Sequence, residues 1–81
     1  MPRLKVTFYT KNECTLCNLV LDMLRDLREE LSFEFYIVDI TRSLDAWRLY
    51  WDKVPVIEAG EEILSGRIDE SELRGFLLRK T

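Results

Sequence analysis

The 81-residue chain has no histidine and only two cysteines, three glycines and two prolines. Without histidine it has no imidazole for general acid–base catalysis, for a cysteine–histidine pair or for metal binding. The two cysteines, Cys14 and Cys17, are too few for a four-cysteine zinc site. They are also too few for the several disulfides that stabilise small secreted domains. These absences leave the cysteine pair itself as the main candidate for chemistry.

The length and composition limit the class of protein further. The chain is shorter than a typical domain of roughly 100–150 residues, so we expect residues 1–81 to form a single domain. Hydrophobic residues make up 47% and charged residues 33%, which favours a folded domain over a disordered one. No segment approaches the ~18 consecutive apolar residues of a membrane-spanning helix, and the first residues contain no apolar block of an export signal. We therefore expect a cytoplasmic protein with no membrane partner.

The charge balance bears on partners as well. The chain has 12 basic and 15 acidic residues, a net charge of −3. Nucleic-acid-binding domains are usually basic. We therefore expect no nucleic-acid partner.

The first half of the sequence predicts a strand, a helix and a second strand. Residues 4–9 alternate between apolar and polar, which is typical of a strand. A helical spacing of apolar residues begins at Cys14. Residues 33–40 are aromatic and β-branched with almost no polar face, which indicates a strand covered by helices on both sides. Together these segments predict a βαβ unit with parallel strands.

The second half predicts a short helix, a hairpin and a last helix. Ser43 is a candidate N-cap of the short helix. Residues 54–58 predict a strand that carries a proline, and residues 62–64 predict its hairpin partner. The last helix is expected to start near Asp69, which with Glu72 resembles a capping box. The predicted fold is therefore α/β, with the order β-α-β-α-β-β-α.

Aromatic residues cluster on the short second helix. Leu44, Trp47 and Trp51 fall on one side of it, with Tyr50 beside them. One interpretation is an aromatic rim close to the active site, for which Trp51 is the better candidate. The interpretation we favour is that Trp47 and one neighbour cover the sheet, because such a helix must bury large side chains.

The cysteine pair lies where the first loop passes into the first helix. There the sulfur of Cys14 faces the unpaired N–H groups and the positive dipole end of the helix, and Lys11 adds positive charge. Cysteines in C-x-x-C motifs have pKa values of roughly 3.5–7.5 in such settings, so the thiolate is favoured. Cys17 lies one turn further, on the apolar face. We therefore predict that Cys14 is the nucleophile and Cys17 the resolving thiol.

Two other interpretations of the pair remain open. Both cysteines can simply be small core residues. Alternatively, the two thiolates can hold a soft metal ion if a second chain or a small thiol supplies the other ligands. We predict no metal site within the chain itself.

Pro55 and Arg67 are further candidates. An X-Pro bond is cis at modest cost, and a cis bond at Pro55 would turn the N–H and C=O of Val54 towards an extended substrate. A trans proline that ends a loop is the alternative. Arg67 is either a partner for a substrate carboxylate or an ordinary exposed arginine.

Three segments in this order resemble glutaredoxins and glutaredoxin-like proteins, most of all the short bacterial type. The segments are Tyr9-Thr10-Lys11-x-x-Cys14-x-x-Cys17, Val54-Pro55-Val56 and Ser65-Gly66-Arg67-Ile68-Asp69. The resemblance implies a thioredoxin-like fold with a four-stranded mixed sheet flanked by helices. It also implies a cis-Pro55 that faces the cysteines, and dithiol–disulfide exchange as the activity.

The resemblance extends in part to the glutathione site of that family. Residues Lys11, Val54, Pro55, Gly66 and Asp69 match it. Lys53, Ser65 and Ile68 depart from the usual threonine, glycine and aspartate, and Thr15-Leu16 replaces the usual Pro-Tyr between the cysteines. The substrate-binding candidates are therefore Lys11, Thr15, Leu16, Val54, Pro55, Gly66, Arg67 and Asp69.

These observations predict a monomeric thiol–disulfide oxidoreductase that reduces protein or small-molecule disulfides and has no bound cofactor. Its electron donor is either glutathione as cosubstrate or a thioredoxin-reductase-type protein. The alternative is a non-enzymatic binding module on the same fold, or a metal or iron–sulfur carrier that uses the cysteine pair.

Overall fold

The computed structural model describes residues 4–80 of the chain. Its elements are β1 (Leu4–Thr10), α1 (Thr15–Glu30), β2 (Phe33–Asp39), a 3₁₀ turn (Ile40–Arg42), α2 (Leu44–Tyr50), β3 (Val56–Ala59), β4 (Glu62–Ser65) and α3 (Glu70–Lys80). This is the predicted β-α-β-α-β-β-α order with one added 3₁₀ turn. The expectation of no export signal rests in part on residues 1–3, which, like Thr81, lie outside the described residues.

The four strands form one mixed sheet in the order β2-β1-β3-β4. β1 and β2 are parallel, in a register that pairs Leu4 with Phe33 and Thr10 with Asp39. β3 runs antiparallel to both of its neighbours, β1 and β4. The predicted mixed sheet with an antiparallel hairpin strand is therefore confirmed. Because β1 and β2 are parallel, both end at the same edge of the sheet, which we call the C-terminal edge.

One face of the sheet carries the main hydrophobic core. Alternate residues of β1 and β3 project from this face and pack against α1 and α3. The core members are Val6, Phe8, Cys17, Val20, Leu24, Leu27, Phe33, Ile57, Ala59, Ile68, Leu73, Phe76 and Leu77. Burying each large apolar side chain contributes roughly 1.5–3 kcal/mol. This core therefore holds α1, and with it the cysteine pair, firmly against the sheet.

The opposite face is covered only in part, by α2. Tyr9 alternates with the buried residues of β1 and so projects from this face, where its ring lies 4.6 Å from that of Tyr50. Ala46 is the buried residue of α2. With seven residues α2 spans only about 10 Å. Tyr36 and Ile63, on the same face of the sheet, consequently stay exposed.

Two expectations about how the helices cover the sheet need correction. β2 is not covered by helices on both sides, since it is an edge strand in which Tyr36 and Ile37 are about half exposed. The expectation that Trp47 and one neighbour cover the sheet holds for the neighbour, since Tyr50 lies against Tyr9, and the buried residue of α2 is Ala46 rather than Trp47. Trp47 and Trp51 remain exposed, at 39% and 52%.

α2 and α3 begin directly after the predicted capping residues, Ser43 and Asp69. The hydroxyl oxygen of Ser43 accepts a hydrogen bond from the N–H of Ala46 at 3.3 Å, at the start of α2. A carboxylate oxygen of Asp69 accepts from the N–H of Glu72 at 2.7 Å, in the first turn of α3. Each side chain satisfies a backbone donor that has no partner within its own helix.

Exposed ion pairs join α3 to the rest of the domain. The guanidinium of Arg74 donates to Glu30 at the end of α1 and to Glu70 on its own helix. Lys80 pairs with Glu62 of β4. Within residues 4–80, no helix is both long enough and apolar enough to cross a membrane.

Candidate redox site

The fold gathers the predicted site residues at the C-terminal edge of the sheet. β1 ends at Thr10, and a three-residue loop leads from it to Cys14. Tyr9 pairs with Val56, the first residue of β3, so Pro55 reaches the same edge. The segments before α1 and before β3 therefore meet, although they are some forty residues apart in the chain.

Cys14 and Cys17 form a disulfide across the first turn of α1, with 5.2 Å between their Cα atoms. That separation lies within the range usual for disulfides. Cys14 is also the N-cap of α1, since it has extended backbone angles and its Sγ accepts a hydrogen bond from the N–H of Cys17 at 3.1 Å. The sulfur of Cys14 therefore lies at the positive end of the helix dipole.

The two sulfurs differ in their surroundings. Cys17 is fully buried in the core, as the helical spacing predicts, whereas Cys14 is partly exposed. No acidic residue lies in the first turn of α1, so no carboxylate there competes with a Cys14 thiolate for the helix dipole. Lys11, three residues before Cys14, is partly exposed in the preceding loop. Cys14 is therefore the sulfur that solvent reaches, and the core shields Cys17 from solvent.

The peptide bond between Val54 and Pro55 is cis, as the resemblance implies. Pro55 is buried. The N–H of Val54 donates to the carbonyl of Tyr50, at the end of α2, at 3.2 Å. The expectation that this N–H faces a substrate is therefore wrong, because it already serves to close the last turn of α2.

The turn after β4 is tied directly to Pro55. The N–H of Gly66 donates to the carbonyl of Pro55 at 3.0 Å, and Gly66 has the positive φ of 81° that suits a residue without a Cβ. Arg67 next to it is exposed. Asp69 lies at the same turn, but its carboxylate caps α3. One oxygen of the Asp69 carboxylate is thus used by the cap.

The remaining predicted positions lie around the cysteines. Thr15 is exposed and Leu16 is partly buried, both in the first turn of α1.

No polar or charged side chain is buried among residues 4–80. The described residues thus include no buried carboxylate beneath the cysteine pair, in agreement with the lack of an acidic residue in β1.

Sequence reasoning missed a polar cluster at this edge, formed by Tyr9, Tyr50 and Glu58. Burial, followed by the negative charge of Glu58, raises the pKa of both the Tyr9 and the Tyr50 phenol. The alternation of β1 places Tyr9 on the face opposite the core. Nothing local in the sequence indicates that Tyr50 would lie against it.

Fold and site together define the class. A four-stranded mixed sheet flanked by helices, with a cysteine pair at the start of the first helix and a cis proline before the third strand, is a thioredoxin-like fold with a redox-type dithiol site. Solved structures agree. XcR50 from X. campestris superposes with a TM-score of 0.79 at 25% identity, over 94% of this chain and 99% of that one.

Two further structures show the same fold. A mutant thioredoxin from Halobacterium salinarum has a TM-score of 0.81 at 17% identity, over 99% of this chain and 76% of that one. The glutaredoxin-like protein NrdH-redoxin from Escherichia coli has a TM-score of 0.64 at 24% identity, over 86% of this chain and 92% of that one. No curated protein sequence matches the chain at a significant level.

The family follows from residues 5–78, which match the model of the glutaredoxin-like domain (DUF836). The chain belongs to this family. The predicted resemblance to glutaredoxin-like proteins is confirmed over nearly the whole length of the chain.

Proposed function

We propose that this protein is a thiol–disulfide oxidoreductase that reduces disulfides through Cys14 and Cys17. The observation that carries the proposal is the asymmetry of the pair. Cys14 caps a helix and is partly exposed, whereas Cys17 is bonded to it and fully buried. Nucleophilic attack needs an accessible thiolate, and resolution needs a second thiol within reach of the first.

In the first step, the Cys14 thiolate of the reduced protein attacks one sulfur of the substrate disulfide. A mixed disulfide forms between Cys14 and the substrate, the substrate S–S bond breaks, and the other substrate sulfur leaves as a thiolate. The N–H groups at the start of α1 stabilise the Cys14 thiolate beforehand. The leaving thiolate takes a proton from solvent.

In the second step, Cys17 loses its proton and attacks Cys14. The Cys14–Cys17 disulfide forms, and the second substrate sulfur leaves as a thiol. Two electrons have then passed from the dithiol to the substrate. Because the described residues include no buried carboxylate near Cys17, its proton passes to the departing sulfur or to solvent. An external thiol reductant then returns two electrons to the pair.

Backbone groups at the edge position the substrate. The carbonyl of Val54 accepts a hydrogen bond from an extended substrate, and Arg67 at the neighbouring turn is available to a substrate carboxylate. Lys53, Ser65 and Ile68 depart from the usual residues of a glutathione site and weaken the likeness to one. We therefore propose protein disulfides as substrates, with a thioredoxin-reductase-type protein ahead of glutathione as electron donor. The thioredoxin-like activity profile described for the glutaredoxin-like NrdH-redoxin supports placing a thioredoxin-reductase-type donor ahead of glutathione.

Turnover of a small disulfide tests the proposal. Hydroxyethyl disulfide is supplied with glutathione in one assay and with a dithiol reductant in another. We expect the wild-type protein to reduce it and Cys14→Ser to be inactive. Turnover that survives Cys14→Ser, or no turnover with any donor, would overturn the proposal. An absorption spectrum of protein purified without oxygen shows in parallel whether a metal or cluster occupies the pair.

A further inference from the structure

Tyr50 joins two parts of the redox site that are distant in the sequence. It is the last residue of α2, and its ring lies 4.6 Å from the ring of Tyr9, the last but one residue of β1. Its carbonyl oxygen accepts hydrogen bonds from the N–H groups of Lys53 at 2.9 Å and of Val54 at 3.2 Å. One residue therefore contacts both the strand that leads to the cysteine pair and the segment that precedes the cis proline.

The turn between α2 and Pro55 is held mainly by α2. The backbone N–H groups of residues 51, 53 and 54 all donate to carbonyl oxygens of that helix. Residues 51–53 have exposed side chains, and the ion pair of Asp52 with Lys53 lies within the turn itself. The side chain of Val54 packs against the core. The position of Val54 is thus set by the core on one side and by the end of α2 on the other.

The end of α2 depends on the Tyr50 ring for its contact with the sheet. Every side chain of α2 except Ala46 and Tyr50 is exposed. Isolated helices shorter than about 12–15 residues are only marginally stable in water, and α2 has seven residues. Ala46 has a small side chain and lies one turn before the end. The Tyr50 ring is therefore the large side-chain contact that holds the last turn in place.

The contact between the two rings is apolar in character. Their separation of 4.6 Å and interplanar angle of 43° fall within the favourable range for aromatic pairs, roughly 4.5–7 Å between centroids. Burial and the nearby charge of Glu58 raise the pKa of both phenols, so both rings are uncharged at neutral pH. We therefore expect the aromatic ring of Tyr50, rather than its hydroxyl group, to hold α2.

We propose that Tyr50 is a positioning residue for peptide substrates: its ring, packed on Tyr9, holds the carbonyl of Val54 where an extended substrate donates to it. This inference rests on the proposed function and names a residue that sets the affinity for peptides. Tyr50 acts through Val54 and does not touch the reacting sulfurs. Its loss therefore weakens the binding of a peptide without slowing the exchange of disulfides, which raises KM and leaves kcat unchanged.

Two disulfides of different chemistry test the proposal. One is a peptide with an intramolecular disulfide, and the other is hydroxyethyl disulfide, which has no peptide N–H to donate to Val54. Tyr50→Ala should raise KM for the peptide by about three- to tenfold. It should leave kcat for the peptide and kcat/KM for hydroxyethyl disulfide unchanged. Tyr50→Phe keeps the ring and should restore the wild-type KM.

Trp47→Ala is the matched control, because it removes an exposed ring from the same helix. It should keep the wild-type KM for the peptide. Equal losses with both disulfides in Tyr50→Ala would show general damage to the site and overturn the proposal. So would a Tyr50→Phe protein as impaired as Tyr50→Ala. If Tyr50→Ala does not fold, Tyr50→Leu, which keeps apolar bulk without an aromatic ring, replaces it in the same assays.

A double-mutant cycle isolates the ring contact. If the rings act on Val54 together, Tyr9→Ala raises KM for the peptide as Tyr50→Ala does. The double variant Tyr9→Ala/Tyr50→Ala should then be no worse than Tyr50→Ala alone, because one contact cannot be lost twice. Effects on KM that multiply in the double variant would contradict a shared role.

Amide hydrogen exchange measures the positioning of Val54 without turnover. In Tyr50→Ala the Val54 amide should exchange at least about threefold faster than in the wild type, and in Tyr50→Phe at the wild-type rate. The Leu31 amide, bonded to the carbonyl of Leu27 at 2.8 Å at the far end of α1, should keep its rate. An unchanged Val54 rate, or equal acceleration at Leu31, would overturn the inference. If the exchange pattern is as expected but the wild type reduces neither disulfide, the proposed function fails and the contact that holds Val54 stands.

Discussion

The N–H of Gly66 donates a hydrogen bond to the carbonyl oxygen of Pro55 at 3.0 Å. Next to the pairing of Val56 with Ser65, this contact joins the turn after β4 to the cis proline before β3 and so holds two predicted site segments together. Both ends of the hairpin are thereby fixed at the C-terminal edge, beside the cysteine pair. Backbone contacts, to which no side chain contributes, thus help to hold the site segments together.

Gly66→Ala should destabilise the protein. Gly66 has a φ of 81°, and a side chain in the left-handed region costs about 1–2 kcal/mol. Gly75, inside α3 with open space around its Cα, is the matched control. Gly75→Ala should instead stabilise by about 0.4–1 kcal/mol. Chemical denaturation measures both free energies of unfolding, and changes of the same sign would contradict this account.

Alkylation should distinguish the two thiols of the reduced protein. Cys14 is partly exposed at a helix N-terminus, whereas Cys17 is fully buried, so iodoacetamide should modify Cys14 first. Mass spectrometry of the digested protein gives both rates. Cys17→Ser should leave the rate at Cys14 of the same order and should accumulate the mixed disulfide with substrate. Equal rates at both cysteines in the folded protein would disprove the assignment of roles.

Asp69 should matter for stability through its carboxylate oxygen rather than its charge. That oxygen caps α3 by accepting from the N–H of Glu72 at 2.7 Å. Asp69→Ala should therefore lower the free energy of unfolding by about 1 kcal/mol, and Asp69→Asn should largely preserve it. If Asp69→Asn preserves stability but raises the KM for glutathione, the carboxylate has a substrate role as well as a structural one.

Leu24 and Leu19 of α1 provide a matched test of the core. Leu24 is fully buried and Leu19 is 52% exposed. Leu24→Ala should cost about 2–5 kcal/mol, and Leu19→Ala at most about 0.5 kcal/mol. Leu24→Met keeps the volume and should cost less than about 1.5 kcal/mol. Comparable losses for Leu24→Ala and Leu19→Ala would show that α1 does not pack as described.

The three tyrosines of the chain should all ionise above the ordinary pKa of about 10. Burial and the charge of Glu58 raise the pKa of Tyr9 and Tyr50, and a hydrogen bond to Glu34 raises that of Tyr36. A raised pKa means that the folded state holds the neutral phenol. The resulting stabilisation is present below the ordinary pKa and is lost as pH rises through the raised values.

Ultraviolet absorbance during alkaline titration checks this prediction. Glu58→Gln should lower the midpoints of two phenols, and Glu34→Gln should lower that of the third. A titration that both substitutions leave unchanged would mean that neither carboxylate lies close enough to act.

The sequence by itself determined the order of elements, the family and the position of the redox pair. The family comes from the resemblance of three segments to glutaredoxin-like proteins, and the other two follow from local chemistry. The spacing of apolar residues along the chain distinguishes a strand from a helix. Ser43 and Asp69 supply capping oxygens to their own helices. The spacing of Cys14 and Cys17 places both thiols on one helical turn. Such signals act within a few residues of chain, so they can be recognised without knowledge of the fold.

Tertiary structure alone decided which groups are exposed and which are already bonded. Whether β2 lies at an edge, whether Trp47 covers the sheet, and whether the N–H of Val54 is free for a substrate all depend on neighbours elsewhere in the chain. Burial and hydrogen bonding are properties of the packed state, since the space on the sheet taken by Tyr50 and Ala46 is not available to Trp47.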